Sequence, residues 1–374
     1  MATKDEWLPV SAPDLGELEE RFLLDALRSS WISSTGPYVE RFEREFAEFA
    51  GTRAAIAIAN GTVALHLAML AFGIGPGDEV IVPSLTYIAT ANAVRYVGAE
   101  PVFADIDPQT WGIDPAEVEK AVTPRTKGIL PVHLYGHPVD MDSIQMVAER
   151  HDLWVVEDAA EAHGALYKGR RVGSLGSLAT FSFYGNKILT SGEGGAITVD
   201  DPELERRVRL FRGQGMDPNR RYFFPVIGYN YRLTNLACSL LCAQLARFDE
   251  LVQRRKELFA NYVGALAAIP GIGFQPVADW AQPAPWIFCI TIAEREFGMP
   301  RDELAGALAA EGIETRPFFH PIHTLPPYAN PARPRSLPNT ERLAASGLNL
   351  PTGAGLTHAD VDRVASAIRK RSRN

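Results

Sequence analysis

Residues 54–73 read AAIAIANGTVALHLAMLAFG. Ala54–Ala59 is a short apolar run. Asn60, Gly61 and Thr62 interrupt it, and apolar residues then recur at helical spacing as far as Gly73. An apolar strand turning directly into a helix is the unit from which α/β folds are built. The pattern repeats outward along the chain. GPGDEVIVP (75–83) is a turn and a strand, and TYIATANAVRYVG (86–98) is helical. PVFADI (101–106), GILPVHLYG (128–136) and LWVVED (153–158) are further strands, with helical patterns such as PAEVEKAV and MDSIQMVAER between them. AITVD (196–200) is one more strand, expected near the sheet edge. Nearly continuous apolar strands alternating with helices predict a parallel sheet covered on both faces, whose ligands sit at the carboxyl ends of the strands.

Beyond residue 234 the character changes. TNLACSLLCAQLARFDELVQRRKELFANYVGALAAI (234–269) opens on a Thr-Asn cap and meets no proline and only one glycine, Gly264, which predicts a single long helix bridging two domains. The domains are expected at 1–240 and 241–374. WIFCITI (286–292), RDELAGALAAEG and HADVDRVASAIRKR supply elements of the second. The proline-rich RPFFHPIHTLPPYANPARPRSLP (316–338) is too long and too rich in histidine and aromatic residues for a plain connector, and reads as a binding loop.

Composition narrows the function. The 374 residues are 46% hydrophobic and 22% charged with a net charge of −8, an ordinary globular profile that argues against non-specific binding to nucleic acid or anionic membrane. No apolar stretch reaches membrane-span length, and Met1–Val10 carries Asp5 and Glu6 rather than a signal-peptide core, so the chain reads as cytoplasmic. Three cysteines form no disulfide framework. Cys238 and Cys242, four apart, read as buried apolar residues, and eight histidines show no metal-binding spacing.

FSFYGNKILTSGEGG (181–195) places Lys187 beyond an apolar run and among glycines. It is no phosphate-binding P-loop, because position 180 is Thr and Ile188 follows the lysine. A dinucleotide-binding fingerprint fails too, since NGTVAL has one glycine and GIGPG precedes a strand. A solvated lysine, a structural ion pair and a reactive amine remain. Glu157 and Asp158 close a strand, where either could cap the next helix. Gly61 and Thr62 open a helix whose N–H groups can hold an anion. Amine, acid and anion site at neighbouring strand ends are together what pyridoxal phosphate requires.

Those stretches, with WISSTGPYVERFE, PSLTYIATAN, VHLYGH, EDAAEAHGA, RGQGMDPNRRY, GYNYRLTNL and GLNLPTGAGLT, resemble the DegT/DnrJ/EryC1/StrS family of pyridoxal-phosphate sugar aminotransferases over nearly the whole chain. The resemblance is nearest to the branch that aminates GDP-4-keto-6-deoxymannose. It implies the aspartate-aminotransferase fold (fold type I), a homodimer with shared active sites, L-glutamate as amino donor and a nucleotide-linked 4-keto-6-deoxyhexose as acceptor. Carried over residue by residue, it makes Lys187 the amine that condenses with the cofactor aldehyde and shuttles the proton, and Asp158 the partner of the pyridinium nitrogen. Glu161, where many relatives have glutamine, contacts the ring hydroxyl. Gly61, Thr62 and Ser182 cradle the phosphate, Tyr87 stacks on the ring, and Asn230 reaches the phosphate from the neighbouring subunit. Tyr87 could be a core aromatic, Ser182 a strand serine, and His163 either structural or catalytic. Tyr184 stands where many relatives carry histidine, and its role is open. Arg220 and Arg221 either clamp a diphosphate or form a solvated pair. Trp31, Ser33, Arg316 and His320 are substrate-side candidates. A dTDP- or UDP-ketosugar, a cyclitol ketone, or sugar dehydration are the alternative activities. Dehydratases resembling this family replace the lysine by histidine, so Lys187 favours transamination.

Overall fold

The computed structural model describes residues 7–329 and 335–373; part of the proline-rich loop lies outside them. Its central sheet contains β1 (Ala54–Ile58), β2 (Glu79–Pro83), β3 (Glu100–Ala104), β4 (Thr126–Ile129) and β5 (Trp154–Asp158). After the two-residue strands β6 (Leu166–Tyr167) and β7 (Arg170–Arg171), β8 (Leu178–Ser182) and β9 (Gly195–Val199) complete it, in the order β1-β9-β8-β5-β4-β2-β3. β2 runs parallel to β3 and β4, β4 to β5, and β5 to β8, while β9 is antiparallel to both β8 and β1. The reversal at β9 follows from its connection: residues 183–194 contain no crossover helix, without which a strand cannot return parallel to its neighbour. β1 through its pairing with β9 keeps the common direction, so the carboxyl ends of β1, β2, β4, β5 and β8 meet along one edge.

Helices cover both faces, as the nearly continuous apolar strands require. The large-domain helices are α1 (Glu17–Arg28), α2 (Pro37–Ala50), α3 (Gly61–Phe72), α4 (Ala89–Tyr96), α5 (Pro115–Ala121), α6 (Met141–His151) and α7 (Pro202–Arg212). Successive strand residues feed opposite cores: Ala55, Ala57 and Val155 pack with α2, α5 and α6, whereas Ile56, Ile58 and Val156 pack with α3, α4 and α7.

Two expectations are corrected. The strand drawn over 128–136 ends at Ile129, because Pro131 has no N–H to continue the ladder and Leu134–Gly136 form a tight turn with Tyr135 at φ +52°. The single long helix is two, α8 (Asn235–Ala246) and α9 (Phe248–Leu266), capped as expected by Thr234. They break at Arg247, whose backbone leaves helical geometry (φ −100°, ψ 6°) while its guanidinium is held by Asp14 at 2.6 Å and Glu19 at 2.9 Å. Past the break the apolar residues change core. Phe248 and Leu251 still pack with the large sheet; Leu258, Tyr262 and Leu266 pack with a second one.

That second sheet is antiparallel, in the order β10 (Ile272–Phe274), β12 (Phe288–Ile292), β14 (Gly347–Leu350) and β13 (Arg316–Pro317); β11 (Ala281–Gln282) pairs with β6 instead. α10 (Glu294–Phe297), α11 (Arg301–Ala310), α12 (Pro338–Ser346) and α13 (His358–Arg369) accompany it. An N-terminal strap runs across both lobes. Leu8 bridges to Ile313, Val10 bonds Glu314 and Thr352, Ser11 donates to the Asn186 carbonyl, and Asp14 holds Arg247. Among the described residues no helix is long and apolar enough to cross a membrane, and no group of three or more potential ligands could hold a metal ion.

The strand that leads to Lys187 is fixed by an aromatic cluster. Phe46 of α2, fully buried, meets Phe181 and Phe183 edge-on at 5.0 and 5.3 Å. Phe46→Ala is expected to lower stability by about 3–5 kcal/mol through lost burial and the cavity left behind, as measured by denaturant unfolding.

Candidate active site

The anion site is built from the turn after β1. Asn60 caps α3, its Oδ1 accepting from the Val63 N–H at 3.0 Å, which leaves the N–H groups of Gly61 and Thr62 without an acceptor among the described residues. Ser182, the last residue of β8, faces them. The approach is close: a Cβ on Gly61 would lie 2.8 Å from that of Ser182, and one on Gly195 only 2.6 Å from the Asn60 carbonyl carbon. Glycine is required at both, and the two unbonded N–H groups at the helix start suit an anion such as phosphate.

The two acids that close β5 part in function. Glu157 is fully buried and accepts from the N–H groups of Gly173, Leu175 and Gly176 at 2.8–2.9 Å and from His133 Nε2 at 3.1 Å. His133 is the Nε2–H tautomer, since its Nδ1 accepts from the Val139 N–H. Glu157 therefore ties down the loop that precedes β8. Asp158 turns the other way, accepting from Thr90 Oγ1 at 2.8 Å and the Ala160 N–H at 3.2 Å. Desolvation raises its pKa; Thr90, Ala160 and the charge on Lys187 oppose that rise. A buried carboxylate held this way is poised for a cationic partner. Glu161, also buried, accepts from the Tyr135 N–H at 2.7 Å, and desolvation pushes it up to about 7 against the pull of Lys187.

Lys187 lies half-buried in the connection between β8 and β9. Desolvation lowers its pKa, opposed by Glu161 and Asp158. Its Nζ sits 3.8 Å from the centre of the Trp286 ring, and Trp286 Nε1 donates to the Asn186 carbonyl at 2.8 Å. Sequence reading missed Trp286. An aromatic residue leading into an apolar strand reads as core, and only the packing of the two lobes brings it under the lysine. Aromatic rings continue from there: Trp286 and Tyr135 lie 6.2 Å apart, Tyr135 and Phe319 5.8 Å, Phe319 and Tyr87 5.9 Å. Tyr87 is 58% exposed, so it is not a core aromatic, and its ring is open to a ligand. The ring of Tyr184 is exposed as well. His163 is fully buried between Phe181 and Phe183, and desolvation holds it neutral with a pKa of about 3.

The fold thus gathers Gly61, Thr62, Tyr87, Asp158, Glu161, Ser182 and Lys187 along the carboxyl edge. His320 is exposed next to Phe319, whose ring lies 5.9 Å from Tyr87. Among the described residues, the other candidates do not bond to these groups in the single chain. Asn230 is exposed and accepts from Arg232 at 3.3 Å; Arg220 and Arg221 lie over Phe223 and Tyr222; Arg316 pairs with Glu314 at 3.2 Å. Trp31 and Ser33 are exposed, with carbonyls bonded to Asn235.

Open N–H groups, a buried carboxylate and an amine on one sheet edge are the set of groups that a fold type I pyridoxal-phosphate enzyme requires. The chain belongs to the DegT/DnrJ/EryC1/StrS aminotransferase family, whose pattern it matches over residues 13–369. It is 51% identical over 362 residues to the GDP-perosamine synthase of Caulobacter vibrioides, covering 96% of this chain and 97% of that protein. Identity to the GDP-perosamine synthase of Escherichia coli O157:H7 is 42%, covering 97% and 98%. Among solved structures, Streptomyces venezuelae DesV in complex with a ketimine intermediate superposes with a TM-score of 0.88 at 44% identity, covering 94% of this chain and 93% of that one. DesI in the presence of its TDP-sugar product gives 0.91 at 38%, covering 98% and 93%.

Because Glu161 keeps its proton to higher pH when folded than when unfolded, its contribution to stability is fully present below about pH 4.5 and is lost as pH rises through about 7. Glu161→Gln retains an acceptor for Tyr135 but cannot ionise. In the cofactor-free protein it should flatten the fall in melting temperature across that window, measured by scanning calorimetry.

Proposed function

We propose that the enzyme transfers the amino group of L-glutamate to C-4 of GDP-4-keto-6-deoxymannose, giving GDP-perosamine and 2-oxoglutarate. The observation that carries the chemistry is the convergence of Lys187, Asp158 and the open N–H groups of Gly61 and Thr62 on one sheet edge. The substrate rests on the similarity to GDP-perosamine synthases over nearly the full length. Bound pyridoxal phosphate supplies an aldehyde for amine exchange and a protonated pyridine ring that accepts the electrons left when a substrate proton departs. Asp158 would keep the ring nitrogen protonated. Glu161 would meet the ring hydroxyl; Gly61, Thr62 and Ser182 would hold the phosphate, and Tyr87 would cover the ring. Lys187 would supply the amine for the aldehyde and, when free, a group that can give or take the substrate proton. Its lowered pKa suits it to act as a base as well as an acid.

The working unit is a homodimer. Tyr222, Phe224 and Ile227 are 73%, 51% and 87% exposed on the segment between α7 and α8, and Trp31 is 51% exposed. Apolar exposure of this extent is what a second copy would cover. In that dimer Asn230 reaches the partner's phosphate, and Arg220 and Arg221 face its diphosphate, where guanidinium forks match phosphate oxygens. Trp31, Ser33, Arg316 and His320 line the sugar side.

With pyridoxal phosphate the protein should turn yellow, and L-glutamate should bleach the band. Lys187→Ala should abolish turnover. Mass spectrometry should show GDP-4-keto-6-deoxymannose converted to its amino sugar; conversion of a TDP-ketosugar instead would reassign the substrate. Asn230→Ala should weaken phosphate-dependent cofactor retention about 10- to 100-fold, the loss of one charge-assisted hydrogen bond, measured by equilibrium dialysis.

A further inference from the structure

The small lobe contributes one residue in direct contact with the reactive amine. Trp286 precedes β12, is almost fully buried, and presents its ring face 3.8 Å from Lys187 Nζ. One hydrogen bond fixes that ring directly, and Arg255 braces the backbone behind it. Nε1–H donates to the Asn186 carbonyl at 2.8 Å, so the tryptophan grips the residue immediately before the lysine. The Trp286 carbonyl accepts from Arg255 Nη1 at 2.8 Å, and the same nitrogen donates to the Thr352 carbonyl at 3.2 Å. Arg255 is itself buried in α9, so the ring stands on a braced support that joins α9, β12 and the segment after β14.

From this geometry we propose that Trp286 is a positioning residue: whenever the Lys187 amine is free, the indole face holds it by cation–π attraction, in register with the reacting carbons. A free lysine side chain has four rotatable bonds and would otherwise sample many positions or pair with a carboxylate. Asp158 and Glu161 face it from the large lobe, and an ion pair with either would neutralise a group needed at the cofactor ring. The indole face offers attraction to the cation without a proton acceptor, so the amine can be held and still give up or take its proton. Among the described residues, His163, neutral and buried, Arg255, behind the ring, and Tyr135, stacked on it with its phenol pKa raised by burial, are further titratable or charged groups nearby. The inference rests on the reading of Lys187 as the proton carrier.

The first experiment needs no catalysis. In the cofactor-free protein, the pH dependence of Lys187 acetylation, followed peptide by peptide by mass spectrometry, gives the pKa of its amine. A cation–π contact of about 0.5–2 kcal/mol corresponds to a shift of about 0.4–1.5 units. Trp286→Leu, which keeps apolar bulk and loses the ring, should move the pKa downward by that amount. Trp286→Phe keeps a ring face and should stay near the parent value. In the holoenzyme the leucine variant should lose about 10-fold or more in kcat with KM changed less than about threefold, and the phenylalanine variant should recover most of it. A leucine variant with unchanged pKa and kcat would overturn the proposal. So would a phenylalanine variant as slow as leucine despite a parental pKa, since the hydrogen bond to Asn186 would then be what matters. Full turnover by Lys187→Ala would instead remove the proton-carrier reading, while the acetylation shift would still report the contact.

Discussion

Burying an acid and an amine together is the constraint from which the rest of this structure follows. Asp158 and Glu161 are almost inaccessible to water and Lys187 is half-buried, and each is driven by desolvation toward its uncharged form. Such groups persist only where the surrounding polar atoms are fixed beforehand. Thr90 and the Ala160 N–H do this for Asp158, and the Tyr135 N–H does it for Glu161. Thr90 in turn belongs to the helix after β2, and Tyr135 to the turn after β4. Parallel strands with their carboxyl ends aligned are the arrangement that lets all of these turns supply donors to one place.

Much of this was legible in the sequence because it is local. The strand-turn-helix unit at 54–73 needs only periodicity and a glycine to be seen, and Asp158 and Lys187 sit where apolar runs stop. Glu157 and Asp158 were indistinguishable by position alone. Only the folded loop at Gly173–Gly176 shows that the first is spent on backbone N–H groups, while the second bonds Thr90 and the Ala160 N–H instead. The break at Arg247 was hidden for a similar reason. Helix propensity runs unbroken through it, and the acids that hold the arginine, Asp14 and Glu19, lie more than two hundred residues away in the chain. Trp286 likewise acquires its meaning from a lobe-to-lobe contact. The candidates at 31–33, 220–221 and 230 occupy exposed segments whose partners a single chain does not supply.

The two lobes divide the labour unequally. The large sheet provides the charged groups and the anion cradle. The small lobe provides apolar and aromatic surface: Trp286 beneath the lysine, and Phe319 stacked on Tyr135 and edge-on to Tyr87. This matches the physical demands on each. Charges need many rigid donors around them, and rings need only shape and burial to exclude water from the amine.

The strap at the start of the chain carries a mechanical consequence. It is hydrogen-bonded to the small sheet at Leu8 and Val10, to the lysine loop at Ser11 and to the kink between α8 and α9 through Asp14. A swing of one lobe about α9 would have to break the strap's bonds to one lobe or the other, each worth about 0.5–1.5 kcal/mol. The strap therefore adds a cost to opening the cleft that is paid by the chain's own first residues, far in sequence from the groups that do the chemistry.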